Sequence, residues 1–128
     1  MAGNGQPPLA RTILAFALGI VFLATGSSKL IDHSAAVADF SRWGLPAPSA
    51  LTIAVGIFEL CCAALLMANV ATRRVAMVLA VEMAAAFAIA GREDGGIQLL
   101  VPPAVAALCL GLAWASRPSH PRGATLTP

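Results

Sequence analysis

Four continuous apolar stretches, Thr12 to Leu30, Ser49 to Val70, Val75 to Ala90 and about Ile97 to Ala115, constrain this chain more than any other feature. Each comes close to the roughly 17–25 residues that a helix needs to cross a bilayer. The third is the shortest and can borrow Thr72 to Arg74 at one end. Within lipid every backbone group must be satisfied inside its own segment, and the runs do not alternate apolar with polar residues, so helices are preferred over barrel strands. With 59% hydrophobic and 11% charged residues and a mean hydropathy of +0.83, the composition lies outside the range of water-soluble domains. The expectation is an all-α membrane protein: a four-transmembrane-helix bundle over residues 11–116, flanked by mobile Gly-, Pro-, Ser- and Thr-containing ends at 1–10 and 117–128. Arg11 before the first run and Ala24-Thr25-Gly26 near its end would suit a cleaved signal peptide, but three further spans favour a retained first helix.

Basic residues set the orientation. An N-in/C-in topology puts Arg11, Arg73, Arg74, Arg117 and Arg122 inside, five of the eight Lys and Arg residues, and leaves the loop acids Asp32, Asp39, Glu93 and Asp94 outside. A net charge of +2 with no basic run excludes nucleic acid as a partner. The Arg73-Arg74 pair reads first as a topology signal, with an anionic head group as its minority role. In the outer loop between the first two spans, Ala36, Val37, Phe40 and Trp43 recur at helical spacing after Ser34, a candidate N-cap, until Gly44 and Pro46 stop the turn. This is expected to be a short interfacial helix. Trp43 and Phe40 would anchor it at one head-group level, and Trp114 would mark the other.

Two glutamates interrupt the apolar runs. Glu59 lies ten residues after Ser49, and Glu82 ten residues after Thr72, so on antiparallel helices both sit about 15 Å deep at 1.5 Å per residue. In a slab roughly 30 Å thick that is the midplane, where a carboxylate is costly unless it is paired, neutralised or hydrated. If the two share a cavity, they cannot both ionise cheaply. Gly56 and Ala63 lie on the face of Glu59, with Thr52 a further turn away, a pattern of close helix packing.

On the first helix, Ala15, Gly19, Phe22, Gly26 and Lys29 form one stripe. Lys29 lies about 10 Å above the midplane by the same rise. It either reaches down to Glu59 or snorkels outward toward the head groups and Asp32. Glu59, Glu82 and Lys29 are therefore the candidate catalytic groups. Thr25, Gly26, Gly56, Cys62 and Gln98 are candidates for a substrate or quinone pocket.

Cys61, Cys62 and Cys109 all fall within the spans and form no CxxC motif, so they read as small buried hydrophobes. The minority reading makes Cys62 a thiol near a quinone or sulfur substrate. His33 and His120 have no ligand partners at useful spacing, and no metal site is expected. Pro102-Pro103 leaves about 14 residues for a last helix, about 21 Å, which is too short to cross. Either that helix is kinked or Ile97 to Val101 forms a preceding turn or re-entrant segment. A cavity is expected in the outer third, bordered by Gln98, Lys29 and Glu59.

Arg11, Leu18-Gly19, Phe22, Gly26, Lys29-Leu30, Phe40, Gly44-Leu45-Pro46, Gly56, Glu59, Arg73, Leu79 and Met83, in that order and spacing, resemble the DoxX family from about Arg11 to Ala115. The resemblance implies a small four-helix protein of the bacterial inner membrane. The family name is tied to a thiosulfate:quinone oxidoreductase, and some relatives resemble membrane partners of sulfurtransferase and superoxide dismutase. It marks Arg11, Gly19, Gly26, Lys29, Gly44, Pro46, Gly56 and Glu59 as family positions. Glu82 has no place in that pattern. Cys61-Cys62 stands where small residues are usual, Gln98 where many relatives carry an acid, and Gly91-Arg92 where a histidine is frequent.

Three function classes follow. The first is a small subunit or partner of a membrane redox complex linked to quinone, thiol or sulfur chemistry, with no cofactor held by a recognisable motif. The second is an intramembrane acid-base enzyme, an isomerase or an epoxide-opening hydrolase, using Glu59 and Glu82 on a lipophilic small molecule. The third is a proton-linked carrier, for which four helices are few unless the chain forms a homo-oligomer. The topology is directly testable. A cysteine at position 33 should be labelled by an impermeant reagent from outside, and one at position 73 only after the inner face is opened; the opposite pattern would invert the depth assignments.

Overall fold

The computed structural model describes residues 8–118 of the 128, without the side chains of Pro8 and Gln98. The described residues are helical and contain no strand: α1 (Pro8–Ile31), α2 (His33–Arg42), α3 (Pro48–Met67), α4 (Thr72–Asp94), a 3-10 turn (Gly96–Leu99) and α5 (Val101–Ala115). The expected mobile ends fall largely outside the described residues, and α1 begins at Pro8. Three helices, α1, α3 and α4, are long and apolar enough to cross a membrane. The shorter apolar α5, with 15 residues, spans about 22 Å.

Local chemistry explains the boundaries. Gly44, at φ +76°, follows the last turn of α2, where the Gly44 N–H donates to Ser41 O and the Leu45 N–H to Phe40 O. That paired arrangement closes a helix on a left-handed residue, a conformation glycine adopts without strain. The end of α3 uses the same device with Asn69 at φ 58°: the Asn69 N–H donates to Leu66 O and the Val70 N–H to Leu65 O. Prolines stand in the first turns of α3 and α5, where their missing N–H groups have no intrahelical partner to lose. The expected choice at Pro102-Pro103 resolves in favour of a preceding turn. Residues 96–99 form the 3-10 turn, and a regular helix starts only at Val101.

α3 packs most extensively on α1, and α4 on α5, while α3 and α4 touch more sparingly despite the short link between them. The stripe on α1 is the reason. Ala15, Phe22 and Gly26 are buried against α3, and a Cβ added at Gly26 would stand 2.9 Å from Gly56 O and 3.1 Å from Glu59 Cβ. A Cβ at Gly56 would in turn meet Gly26 O at 3.2 Å. Glycine facing glycine lets two backbones approach where any side chain would hold them apart.

The packed core draws on all four longer helices but occupies one half of the molecule. Ala15, Leu18 and Phe22 come from early α1, Ala63 and Leu66 from late α3, Val75, Ala76 and Leu79 from early α4, and Cys109, Leu112 and Ala113 from late α5. That half ends at Arg11, Arg73, Arg74 and Arg117. The other half, toward α2, is hollow: α5 starts late and faces it only with its first turns, at Val101, Pro102 and Val105.

The glycine contact has a built-in control. Gly26→Ala should lower stability in detergent by about 1–3 kcal/mol through overpacking. Gly111→Ala, where an added Cβ meets nothing within 4 Å, should be neutral or stabilising by about 0.5–1 kcal/mol. Equal effects in a thermal or denaturant unfolding assay would show that the Gly26–Gly56 approach does not hold the pair together.

Candidate functional site

Glu59 is 1% exposed in the middle of α3, beside Thr52, Gly56, Cys62 and Ala63, which are all buried. Such a carboxylate needs a partner, and α1 supplies two. Lys29 Nζ donates to Glu59 Oε2 at 2.9 Å and to Oε1 at 3.1 Å, and Thr25 Oγ1 donates to Oε2 at 3.1 Å. The Lys29 side chain remains one-fifth exposed, with a long contact of 3.5 Å to Thr25 O. Of the two arrangements open to Lys29 in the sequence, the structure contains the inward pair. Thr25 and Lys29, four residues apart, lie on one face of α1, and the Gly26–Gly56 contact brings that face against Glu59.

Glu82, from α4, opens onto the same space. It lines a cavity of about 630 Å³ together with Thr25, Lys29 and Glu59. Its Oε2 is buried without a hydrogen-bond partner among the described residues. The Glu82 carboxyl also faces that of Glu59 closely enough for the two side chains to interact directly, and it lies within electrostatic reach of Lys29, so only its Oε2 atom is left over. The remaining wall is mostly apolar, with Phe22, Val55, Met83, Ile89, Pro102 and Val105 contributing. The site thus holds one satisfied ion pair, one unsatisfied carboxyl oxygen and an oily surround.

The other residues expected in the pocket have different positions. Gly26 and Gly56 do not line the cavity; they form the helix contact behind it, because their lack of a side chain serves backbone approach. Cys62 is buried in the packed core, on the far side of Glu59 from the hollow half. Gln98 belongs to the 3-10 turn, and its side chain lies outside the described residues. Cys61 is exposed, and the three thiols are unbridged. No group of three or more His, Cys, Asp or Glu side chains suited to a metal occurs among the described residues.

α2 does more than connect α1 to α3. Ala36, Asp39 and Phe40 of α2 and Trp43 just after it line the cavity, and Phe40 is buried beside Trp43, their ring centroids 5.6 Å apart. Arg42 forms ion pairs with Asp94 at the end of α4 and, at 2.6 Å, with Asp39. Trp43 Nε1 donates to Asp94 Oδ2 at 3.1 Å. The carboxylates of Asp94 and Asp39 hold the Arg42 guanidinium still more firmly protonated. α2 is thereby fastened across the hollow end to α4. Sequence reasoning assigned Trp43 to a head-group level and missed Asp94 as its partner, because the two lie 51 residues apart and nothing in their local context links them.

Comparison with known proteins gives a single family. The family model described as DoxX matches residues 10–92, which include Lys29, Glu59 and Glu82. No curated protein and no solved structure matches the chain significantly.

The ion pair can be tested by a double-mutant cycle. Lys29→Met should cost about 3–5 kcal/mol, toward the lower end because Lys29 is partly exposed, since it strands a buried carboxylate. Combining it with Glu59→Gln should recover much of that loss, with a coupling of about 1 kcal/mol or more in thermal unfolding. Additive effects would mean that the pair contributes nothing as a pair.

Proposed function

This chain belongs to the DoxX family and is a multi-pass integral membrane protein, and on that footing we propose that its cavity receives the polar head of a lipophilic molecule of the quinone class. It does so as a small subunit or partner of a membrane redox assembly. In this reading all four apolar helices lie in the bacterial inner membrane, N-in and C-in, with the short α5 completed by the 3-10 turn before it. Glu59 and Glu82 then lie near the midplane.

The observation that carries the reading is the buried, unpartnered Glu82 Oε2 in the same apolar cavity as the Lys29–Glu59 pair. A buried polar atom without a partner calls for one, and an apolar cavity with a few convergent polar groups is the usual form of a small-molecule site. A quinone supplies two carbonyl acceptors and reversible two-electron chemistry, and its reduced form two hydroxyl donors from which Glu82 Oε2 would accept. Lys29 would direct an N–H at a carbonyl, and Thr25 would hold Glu59 in line with Lys29. The walls formed by Val55, Met83 and Ile89 would exclude water from the ring, and α2 would cover the head. The redox centre itself belongs to the partner, in keeping with the family's association with a quinone-linked oxidoreductase.

The same unpartnered oxygen favours a second reading, an intramembrane acid-base enzyme in which Glu82 and Glu59 move protons on a lipophilic substrate. The two readings separate in the requirement for turnover. A quinone-binding subunit binds its ligand unchanged, whereas an enzyme converts its substrate without a partner.

Trp43 lines the cavity and Trp114 does not, so fluorescence can report on the site. In a Trp114→Phe background, decylubiquinone should quench Trp43 saturably, and Lys29→Met should weaken apparent affinity by ten-fold or more. Linear quenching, identical with and without Lys29, would reduce the effect to partition into detergent and remove the quinone reading. Isomerisation or hydrolysis of an epoxide-bearing lipid by the purified chain, lost in Glu82→Gln, would establish the second.

A further inference from the structure

A second cavity of about 620 Å³ lies at the opposite end of the molecule, where α1 begins, α3 turns into α4 and α5 ends. Arg11, Arg73 and Arg74 line it, with Asn69, Thr72 and Ser116 between them. The ion pairs among the described residues use Lys29, Glu59, Arg42, Asp39 and Asp94, so none of these three guanidinium groups has a carboxylate partner there. Nor can a neighbouring acid serve. The chain has no Asp or Glu before Asp32 or after Asp94, and Glu59 and Glu82 open into the other cavity.

Two donors inside this group are left over. Arg11 Nε and Ser116 Oγ are buried without a hydrogen-bond partner among the described residues. Buried donors of this kind cost free energy unless something accepts from them. Thr72, at the start of α4, spends its hydroxyl on Asn69 Oδ1 at 2.8 Å instead of capping its helix, and no acid stands in the first turn. The positive end of α4 therefore adds to the field of the three arginines. Arg117 is occupied elsewhere, stacked 3.6 Å above the Trp114 ring.

The unmet need is for an anion with several oxygens that can be reached from more than one side. A carboxylate offers two oxygens in one plane, whereas a phosphate offers oxygens in tetrahedral directions and pairs with guanidinium groups in bidentate fashion. We propose that this cavity is a phosphate-binding site formed by Arg11, Arg73 and Arg74, which takes a phosphate carried on an anionic lipid head group or free in solution. Met77 on the cavity wall and the exposed Leu9, Ile13 and Val70 nearby put apolar helix surface next to the site, where the acyl chains of a lipid would lie. The site is separate from the Lys29–Glu59 cavity and does not depend on what that cavity binds.

The test uses the full chain, purified and delipidated in an uncharged maltoside detergent, with thermal unfolding and native mass spectrometry as readouts. Phosphatidylglycerol should raise the melting temperature saturably and remain bound in the mass spectrum, and phosphatidylcholine at the same mole fraction should do neither. Inorganic phosphate at millimolar concentration separates the sources. If it reproduces the stabilisation the ligand is a soluble phosphate, and if only phosphatidylglycerol acts it is a lipid. The Arg11→Gln, Arg73→Gln, Arg74→Gln triple variant should lose at least ten-fold in apparent affinity, whereas Arg92→Gln, at the other end of α4, should bind as the parent does. Should the triple variant fail to fold, Arg74→Gln alone should still weaken binding several-fold. Equal binding of phosphatidylglycerol and phosphatidylcholine with no effect of phosphate would overturn the proposal. So would an equal loss in Arg92→Gln and the arginine variants, which would reduce the effect to overall charge.

Discussion

A carboxylate 1% exposed in the middle of an apolar helix is the condition that the surrounding structure has to meet. Glu59 is stable there because Lys29 and Thr25 reach it from α1. They reach it only because Gly26 and Gly56 let the α1 and α3 backbones meet. The ion pair and the glycine contact are therefore one device. Without the close approach the lysine would be too far away, and without the lysine the approach would bury an unpaired charge, which is more costly than an exposed one.

The division of the molecule into a packed half and a hollow half follows from α5. Its prolines and the 3-10 turn delay the regular helix until Val101, so its contribution to the core comes late, from Cys109, Leu112 and Ala113. On the opposite side, α1, α3 and α4 extend past the point where α5 can face them. Glu59 and Glu82 sit at the boundary, with close packing on one side and open space on the other. That asymmetry allows Glu82 Oε2 to be buried and, among the described residues, unpartnered at once, a condition that a fully packed core would not tolerate. α2 covers the open side, held by Arg42 and Trp43 to Asp94.

Charge follows the same axis. At the hollow end Asp39 and Asp94 pair with Arg42, and these opposite charges satisfy one another. At the packed end, Arg11, Arg73 and Arg74 converge with no Asp or Glu paired to them among the described residues. Side chains that orient a membrane helix need only be basic; these also surround a common space, which orientation alone does not require.

Periodicity along the chain was enough to identify the helices, the stripe on α1, the inward face of Glu59 and the break at Pro102-Pro103, because each depends on neighbours within a few turns. The closing of α2 at Gly44 was equally legible, since a left-handed helix end depends on one residue. The order of these residues also carried the family resemblance. Tertiary structure alone decided whether Lys29 reached inward or outward, because spacing on one helix cannot report the distance to another. It alone joined Trp43 and Arg42 to Asp94, moved Gly26, Gly56 and Cys62 from the pocket into packing, and gathered Arg11, Arg73, Arg74 and Ser116 around one cavity. Those contacts form between segments far apart in the chain, and which groups meet is set by how the helices cross, which no local pattern encodes.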